Sequence, residues 1–262
     1  MNGIKTELSS LSAQTKLMPS GYKHWLVPDW PAPATIHAAT TLRSGGVSCG
    51  AYAGLNPALH VGDDINNVKQ NRQLIKQWLD LPGDPVWLDQ VHSNRVVQAI
   101  THAPLQQADA AYTAESGVVC AVMTADCLPL LVCATDGSEV AAIHAGWRGL
   151  LAGVIGNTLT AMKSQDVLVW LGPAIGPDCF EVGAEVRDAF VDKSAAFGAA
   201  FKAQSNGKWL ADIYQLARID LAMAGIAKTY GGGFCTVTEH ERFYSYRRDQ
   251  QTGRMATLIW RT

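Results

Sequence analysis

The stretches GVVCAVMTADCLPLLVCA (residues 117–134) and VAAIHAGWRGL (residues 140–150) carry most of the fold. Two β-rich apolar runs, 117–123 and 128–134, are interrupted by Thr124-Ala125-Asp126-Cys127, and a third run, 140–143, ends at His144. Short apolar runs bounded by turn residues read as strands. From Gly149 to Met162 the pattern turns helical, with Leu150, Val154 and Leu159 among its apolar positions.

Upstream, residues 36–42 read as a strand leading into the turn-rich Ser44-Gly45-Gly46. Residues 66–79 carry Val68, Leu74, Ile75, Trp78 and Leu79 at helical spacing, and residues 85–88 and 95–100 read as strands flanking the turn at 90–94. Downstream, residues 167–171 form a strand ending in Gly172-Pro173. Residues 184–191 and 210–224 read as helices, the second with Ile213, Leu216, Ile219 and Met223 on one stripe, and residues 255–260 close the chain as a strand. The strands are spaced too irregularly for a βαβ series, which predicts an α+β fold with mixed sheets. No linker divides residues 22–262, so they read as one domain; residues 1–21 read as a flexible N-terminal segment.

Composition narrows the function classes. The 262 residues are 48% hydrophobic, enough for a sizeable core, and only 17% charged with a net charge of −2. The absence of a basic stripe disfavours nucleic acid or anionic membrane as partner. No apolar run nears the roughly 18 residues of a bilayer span, and the N-terminus lacks a signal peptide's continuous apolar region. Six cysteines in a chain of this length, with no export signal, read as reduced thiols of a cytoplasmic protein. Cys120, Cys133 and Cys235 read as small core residues.

The chemistry gathers at three turns. His92, Cys127 and His144 each sit beside small or turn residues at the ends of apolar runs. Each alone is an ordinary loop imidazole or packed thiol; together they supply the three protein ligands of a catalytic zinc site, which leaves a fourth position for water or substrate. Arg43, at the mouth of the Ser44-Gly45-Gly46 loop, is the candidate anion-binding catalytic residue, since arginine matches oxyanions in a fork. Asn56, Arg148, Tyr244 and Arg247 complete the candidate substrate contacts. The segment 243–249 reads equally as a ligand-stacking stretch and as a half-buried strand. The formal nucleophile-elbow match at residues 46–50 is rejected, because Gly54 and Pro57 interrupt the helix that motif requires. His-Glu-x-x-His, the deaminase Pro-Cys-x-x-Cys pattern, the P-loop and the dinucleotide fingerprint are all missing.

The motifs SGGVS (44–48), HVGDD (60–64), DQVHSNRV (89–96), TADCLPLL (124–131), AAIHAGWRGL (141–150), LGPAIGPDCFEVG (171–183), FYSYRRD (243–249) and TGR (252–254) closely resemble those of the YfiH/YlmD family, also called the laccase-domain or polyphenol-oxidase-like family. The resemblance runs from about Leu42 to the C-terminus. It implies β-sheets stacked face to face with helices outside, and a metal held by His92, Cys127 and His144. It further implies phosphorolysis of adenosine, inosine and methylthioadenosine, with adenosine deamination beside it. Older descriptions of the family as copper polyphenol oxidases, and a peptidoglycan-precursor correcting role attributed to some members, stand as alternatives. Three alternatives in chemistry stay open: a zinc nucleoside enzyme acting on nucleosides and phosphate, a copper oxidase, and a cysteine hydrolase with Cys127 as nucleophile. Seven histidines without a His-x-His pair argue against a trinuclear copper cluster.

Overall fold

A computed structural model describes residues 23–262; the flexible segment expected at residues 1–21 lies outside them. Four antiparallel strands form one sheet in the order Trp25–Leu26, Ile36–Thr41, Met255–Arg261, Cys120–Thr124. Six form a second, in the order Thr229–Gly231, Val167–Leu171, Leu128–Ala134, Val140–Ala145, Ala110–Thr113, Val96–Gln98. The two outermost pairs of this sheet are parallel and its central pairs antiparallel.

Alternation along these strands explains why the sheets stack. Cys120 and Val122 pack against Leu131, Cys133, Val140, Ala142, Leu168 and Trp170 of the six-stranded sheet. Their neighbours Val119 and Ala121 join Ala256, Leu258 and Trp260 on the opposite face, under Ile75 of the helix Ile65–Trp78. In the six-stranded sheet Leu128, Leu130, Val132, Ala141, Ile143, Val167 and Val169 face the other way, toward the helices Val154–Ala161, Ala184–Lys193 and Ile213–Met223. The central strands are therefore covered on both faces, which is why their sequences are apolar without alternation. The expected stacked α+β architecture with helices outside is what forms. Among the described residues no helix is long and apolar enough to cross a membrane.

Local chemistry sets the element ends. Asp64 caps the helix Ile65–Trp78 by accepting from the Asn66 and Asn67 amides. The single helix expected at 149–162 is two, Trp147–Ala152 and Val154–Ala161, because Gly153 at φ 88° ends the first in the left-handed region. The helix expected at 210–224 starts at Ile213, after a strand Trp209–Ala211 and the capping Asp212. The flanking strands of the 90–94 turn shrink to Leu88–Asp89 and Val96–Gln98. The strand reading of 243–249 fails: Tyr246–Asp249 is a helical turn capped by Ser245. Cys120 and Cys133 are core residues as expected. Cys235 is only partly buried, its sulfur accepting the Gly176 amide at 3.3 Å.

Candidate metal centre

Strand register brings the three turns together. Leu128–Ala134 and Val140–Ala145 are antiparallel neighbours with Leu128 opposite Ala145, so Cys127, just before one strand, lies at the same sheet end as His144, near the end of the other. The turn carrying His92 is tied to the four-stranded sheet by Gln90, whose side-chain amide donates to the Met123 carbonyl at 2.8 Å and accepts the Met123 amide at 2.7 Å. Gln90 thus mimics a paired strand residue and fixes where the turn begins.

Two residues hold unusual backbone to aim the ligands. His92 sits at φ 60° and Asp126, next to Cys127, at φ 91°. Such conformations persist where the surroundings over-determine them. Asp126 is pinned through both carboxylate oxygens, one accepting the Thr236 hydroxyl at 2.5 Å and the other the Arg247 amide at 2.6 Å. His92 is pinned through its amide, which donates to Asp109 at 3.0 Å.

Asp109 organises the centre. Its carboxylate accepts the His92 amide, the Ser93 amide at 2.6 Å, the Ser93 hydroxyl at 2.7 Å and His144 Nδ1 at 2.7 Å. Its side chain is fully buried, as is nearly all of His144. With Nδ1–H given to Asp109, His144 keeps Nε2 for the site, the carboxylate–histidine arrangement found behind metal-ligating imidazoles. Burial opposes ionisation of all three groups, and their mutual contacts prevail. His144 and Ser93 hold the Asp109 carboxyl down to about 2. His144 and His92 bring the Cys127 thiol down to about 6. Cys127 and Asp109 hold the His144 imidazolium up to about 9. The centre is built for a thiolate.

The donor set fits a metal ion. One ligand atom from each of His92, Cys127 and His144 lies within 4.8 Å of the others, and Cys127 Sγ is 3.7 Å from His92 Nε2. Tetrahedral zinc, with bonds of about 2.0–2.1 Å to nitrogen and about 2.3 Å to sulfur, holds such ligands roughly 3.3–3.6 Å apart. Among the described residues this is the one His/Cys/Asp/Glu group of metal-binding spacing. Gly146 leaves it room: a Cβ there would stand 3.0 Å from His92 Cδ2 and 3.1 Å from Cys127 Sγ. Gly146→Ala is therefore expected to lower metal affinity by roughly tenfold while leaving the melting temperature of the metal-free protein within a few degrees. Gly146 has ordinary extended backbone at φ −65°, ψ 160°, so no conformational strain is added. Chelator competition beside a thermal melt separates the two effects.

The three ligands border a cavity of about 580 Å³. Phe180, Trp147 and Tyr246 give it aromatic wall, and Arg148, Arg247 and Arg254 give it positive charge. Of the sequence-derived candidates, His92, Cys127, His144, Arg148 and Arg247 line it; Arg43, Asn56 and Tyr244 do not. Arg43 donates to the His240 carbonyl at 3.1 Å and lies over the Tyr244 ring. The glycine loop beside it is filled by Asn71, which takes the Val47 amide at 2.9 Å and donates to Ser48 at 2.8 Å. Tyr244 is fully buried, its hydroxyl on the carbonyls of Tyr52 and Ala53. Asn56, also buried, receives the Arg254 amide at 3.0 Å and so positions a residue that does line the cavity. Arg254, His60 and Asp109 were not among the sequence-derived candidates, whereas Tyr246, of the 243–249 stretch offered as ligand-stacking, does line the cavity. The TGR and HVGDD motifs were the available signal for the first two.

The family described as multi-copper polyphenol oxidoreductase laccase matches residues 37–262. The chain belongs to that family, the YfiH/YlmD laccase-domain proteins. It is 52% identical over 239 residues to a purine nucleoside phosphorylase of Pseudomonas aeruginosa, covering 90% of this chain and 98% of that one. The identity and both coverages are the same for the purine nucleoside phosphorylase YfiH of Escherichia coli. The crystal structure of a Neisseria meningitidis protein superposes with a TM-score of 0.88 at 49% identity, covering 91% of this chain and 99% of that one. Of the other histidines, His60 lines the same cavity, whereas His37 stacks on Trp260 and His24 on Trp78, outside the His92/Cys127/His144 group.

Proposed function

We propose that the protein is a zinc-dependent purine nucleoside phosphorylase that also deaminates adenosine. The observation that carries the reading is the three-ligand His92/Cys127/His144 group opening onto a cavity with aromatic walls and arginines. Relatives named purine nucleoside phosphorylase, identical at half their positions, support the reaction class. Zinc, held by His92, Cys127 and His144, would supply Lewis acidity and could activate a water.

The chain's own residues supply the rest. Asp109 keeps the His144 imidazole in the Nδ1–H tautomer and holds the His92 turn against it. Phe180, Trp147 and Tyr246 offer flat apolar surface to a purine, with Ile175, Ile213 and Met123 excluding water beside them. Arg247 is anchored at its amide by Asp126 and at its guanidinium by the Glu181 carbonyl, at 3.1 and 3.2 Å, so it stiffens the cavity wall.

One observation favours a second reading. Cys127, His144 and Asp109 form a thiolate–imidazolium–carboxylate chain, the arrangement of a cysteine hydrolase. Against it, two imidazoles converge on the one sulfur, whereas a nucleophile needs a single base. The His₂Cys set also suits copper, so elemental analysis belongs in the test. Protein loaded with zinc is expected to convert inosine to hypoxanthine only with phosphate present, and adenosine to inosine with or without it. Chelation should stop both. Turnover that survives chelation and dies on thiol alkylation would establish the hydrolase. Oxygen uptake with phenols on added copper would establish the oxidase.

A further inference from the structure

We infer that Arg254 is the anchor for inorganic phosphate in this cavity. The inference rests on the phosphorylase reading of the same site. Three arginines line the cavity, and their contacts separate them. Arg247 commits both terminal nitrogens to the Glu181 and Cys179 carbonyls. Arg148 is exposed, and no hydrogen bond among the described residues holds its guanidinium. A ring contact does not separate the three, since Arg148 lies over Trp147, Arg247 over Phe180 and Arg254 over Tyr246. Arg254 is half-buried, and its Nη1 alone is engaged, donating to the Thr252 and Gly253 carbonyls at 2.9 and 3.0 Å. Its Nε and Nη2 make no hydrogen bond among the described residues and are not sealed from the cavity. No carboxylate pairs with it there, although Arg242 and Arg248 nearby in sequence each have one. A half-buried cation with two free, coplanar donors is a fork for an oxyanion.

Its placement is fixed from both sides. The Arg254 amide is held by buried Asn56, and the next residue, Met255, pairs with Thr124 across the sheet. That register sets Arg254 beside the 124–127 turn that presents Cys127. An anion on the Arg254 fork therefore stands next to the metal ligands, where a nucleophile for C1′ of a bound nucleoside is needed. In the step itself a phosphate oxygen bonds to C1′ as the C1′–N9 bond breaks. Its electron pair stays with the purine, and the proton lost by phosphate ends on a purine nitrogen. The products are ribose 1-phosphate and free base. Arg254 gives up no proton; it binds and orients the nucleophile.

The test uses zinc-loaded protein and its Arg254→Gln and Arg254→Lys variants. Two readouts are taken: steady-state kinetics with inosine and phosphate varied separately, and the shift of the melting temperature by inorganic phosphate without nucleoside. In R254Q the KM for phosphate should rise about 30-fold or more, with the KM for inosine changed less than about threefold, and the phosphate-induced shift should vanish. R254K keeps the charge and loses the fork, so it should fall between. Should R254Q fail to fold, R254K alone still decides, because an unchanged phosphate KM in it refutes a forked contact. A wild-type phosphate KM and thermal shift in R254Q would overturn the assignment. If phosphate stabilises wild type but not R254Q while no nucleoside is cleaved, the anion site stands and the phosphorylase reading falls. If phosphate neither stabilises wild type nor enters any reaction, both fall.

Discussion

Cys127→Ala is expected to leave a folded protein that neither retains metal nor turns over nucleoside. The thiol contributes little to the core: it is only partly buried, at the rim of a cavity, and truncating it creates no closed void. Its loss removes the only sulfur of the donor set and the anion that faces His144 and His92. Two imidazoles and solvent remain, a far weaker site than the thiolate-containing one. If the metal contributes several kcal/mol to the chemical step, turnover should drop by about 10³-fold or more. The melting temperature of the metal-free protein should move by only a few degrees. Elemental analysis after purification without chelator, paired with product assays for base and deaminated nucleoside, reads both parts. Equal metal content in wild type and Cys127→Ala would remove Cys127 from the ligand set. A Cys127→Ser variant that holds metal yet stays inactive would move the sulfur from ligand to nucleophile, in favour of the hydrolase.

Much of this architecture was legible because its physics is local. Strands covered on both faces write themselves as nearly uninterrupted apolar runs: 128–134 and 167–171 are such runs, and 255–260 departs only at Thr257. The helix Ile65–Trp78 announces itself by period and by its Asp64 cap. The candidate ligands were legible because His92, Cys127 and His144 stand on turns where strands end, the usual place for metal donors. What escaped depends on register between distant segments. Asp109 stands just before a four-residue strand, Ala110–Thr113, with nothing in its own neighbourhood to mark it. Only the pairing of Ala110 with Ile143 on one side and Val96 on the other places its carboxylate between the two histidines.

The two arginines make the same point. Arg43 and Arg254 both stand beside glycines in family-like motifs, and local sequence does not rank them. The sheet does. Met255 pairs with Thr124 and turns Arg254 into the cavity corner, whereas Arg43 ends on the His240 carbonyl and the Tyr244 face. Glycine loops likewise have two uses, cradling an anion or admitting a buried side chain, and here the loop at 44–48 admits Asn71.

Asp109→Asn is the second large effect expected, and it acts without touching substrate. The carboxylate serves four donors: two backbone amides, one hydroxyl and one imidazole N–H. An amide offers one accepting oxygen and brings an NH₂ group that meets donors on the other side. If the amide nitrogen turns toward His144, that ring must accept at Nδ1 and carry its proton on Nε2, the atom needed for metal. If it turns toward Ser93, the Ser93 amide and hydroxyl lose their acceptor. Either way metal affinity should fall about 10- to 100-fold, the range for removing an outer partner of a ligating histidine. Breaking a buried ionic contact should also cost the metal-free protein about 3 kcal/mol. The pH dependence gives a signature that general destabilisation lacks. Burial would push the Asp109 carboxyl up, but His144 and Ser93 hold it at about 2, below the ordinary 3.8. A depressed folded-state pKa contributes stability that is complete above the unfolded value and is lost as pH falls through the folded one. Wild type should therefore shed this contribution between about pH 4 and pH 2, and Asp109→Asn should lack that acid limb. Denaturant titrations of both metal-free proteins at a series of pH values measure it. Parallel acid limbs in the two proteins would show that the carboxylate is not held as an anion. Undiminished metal affinity in the variant would show that it does not set the His144 tautomer.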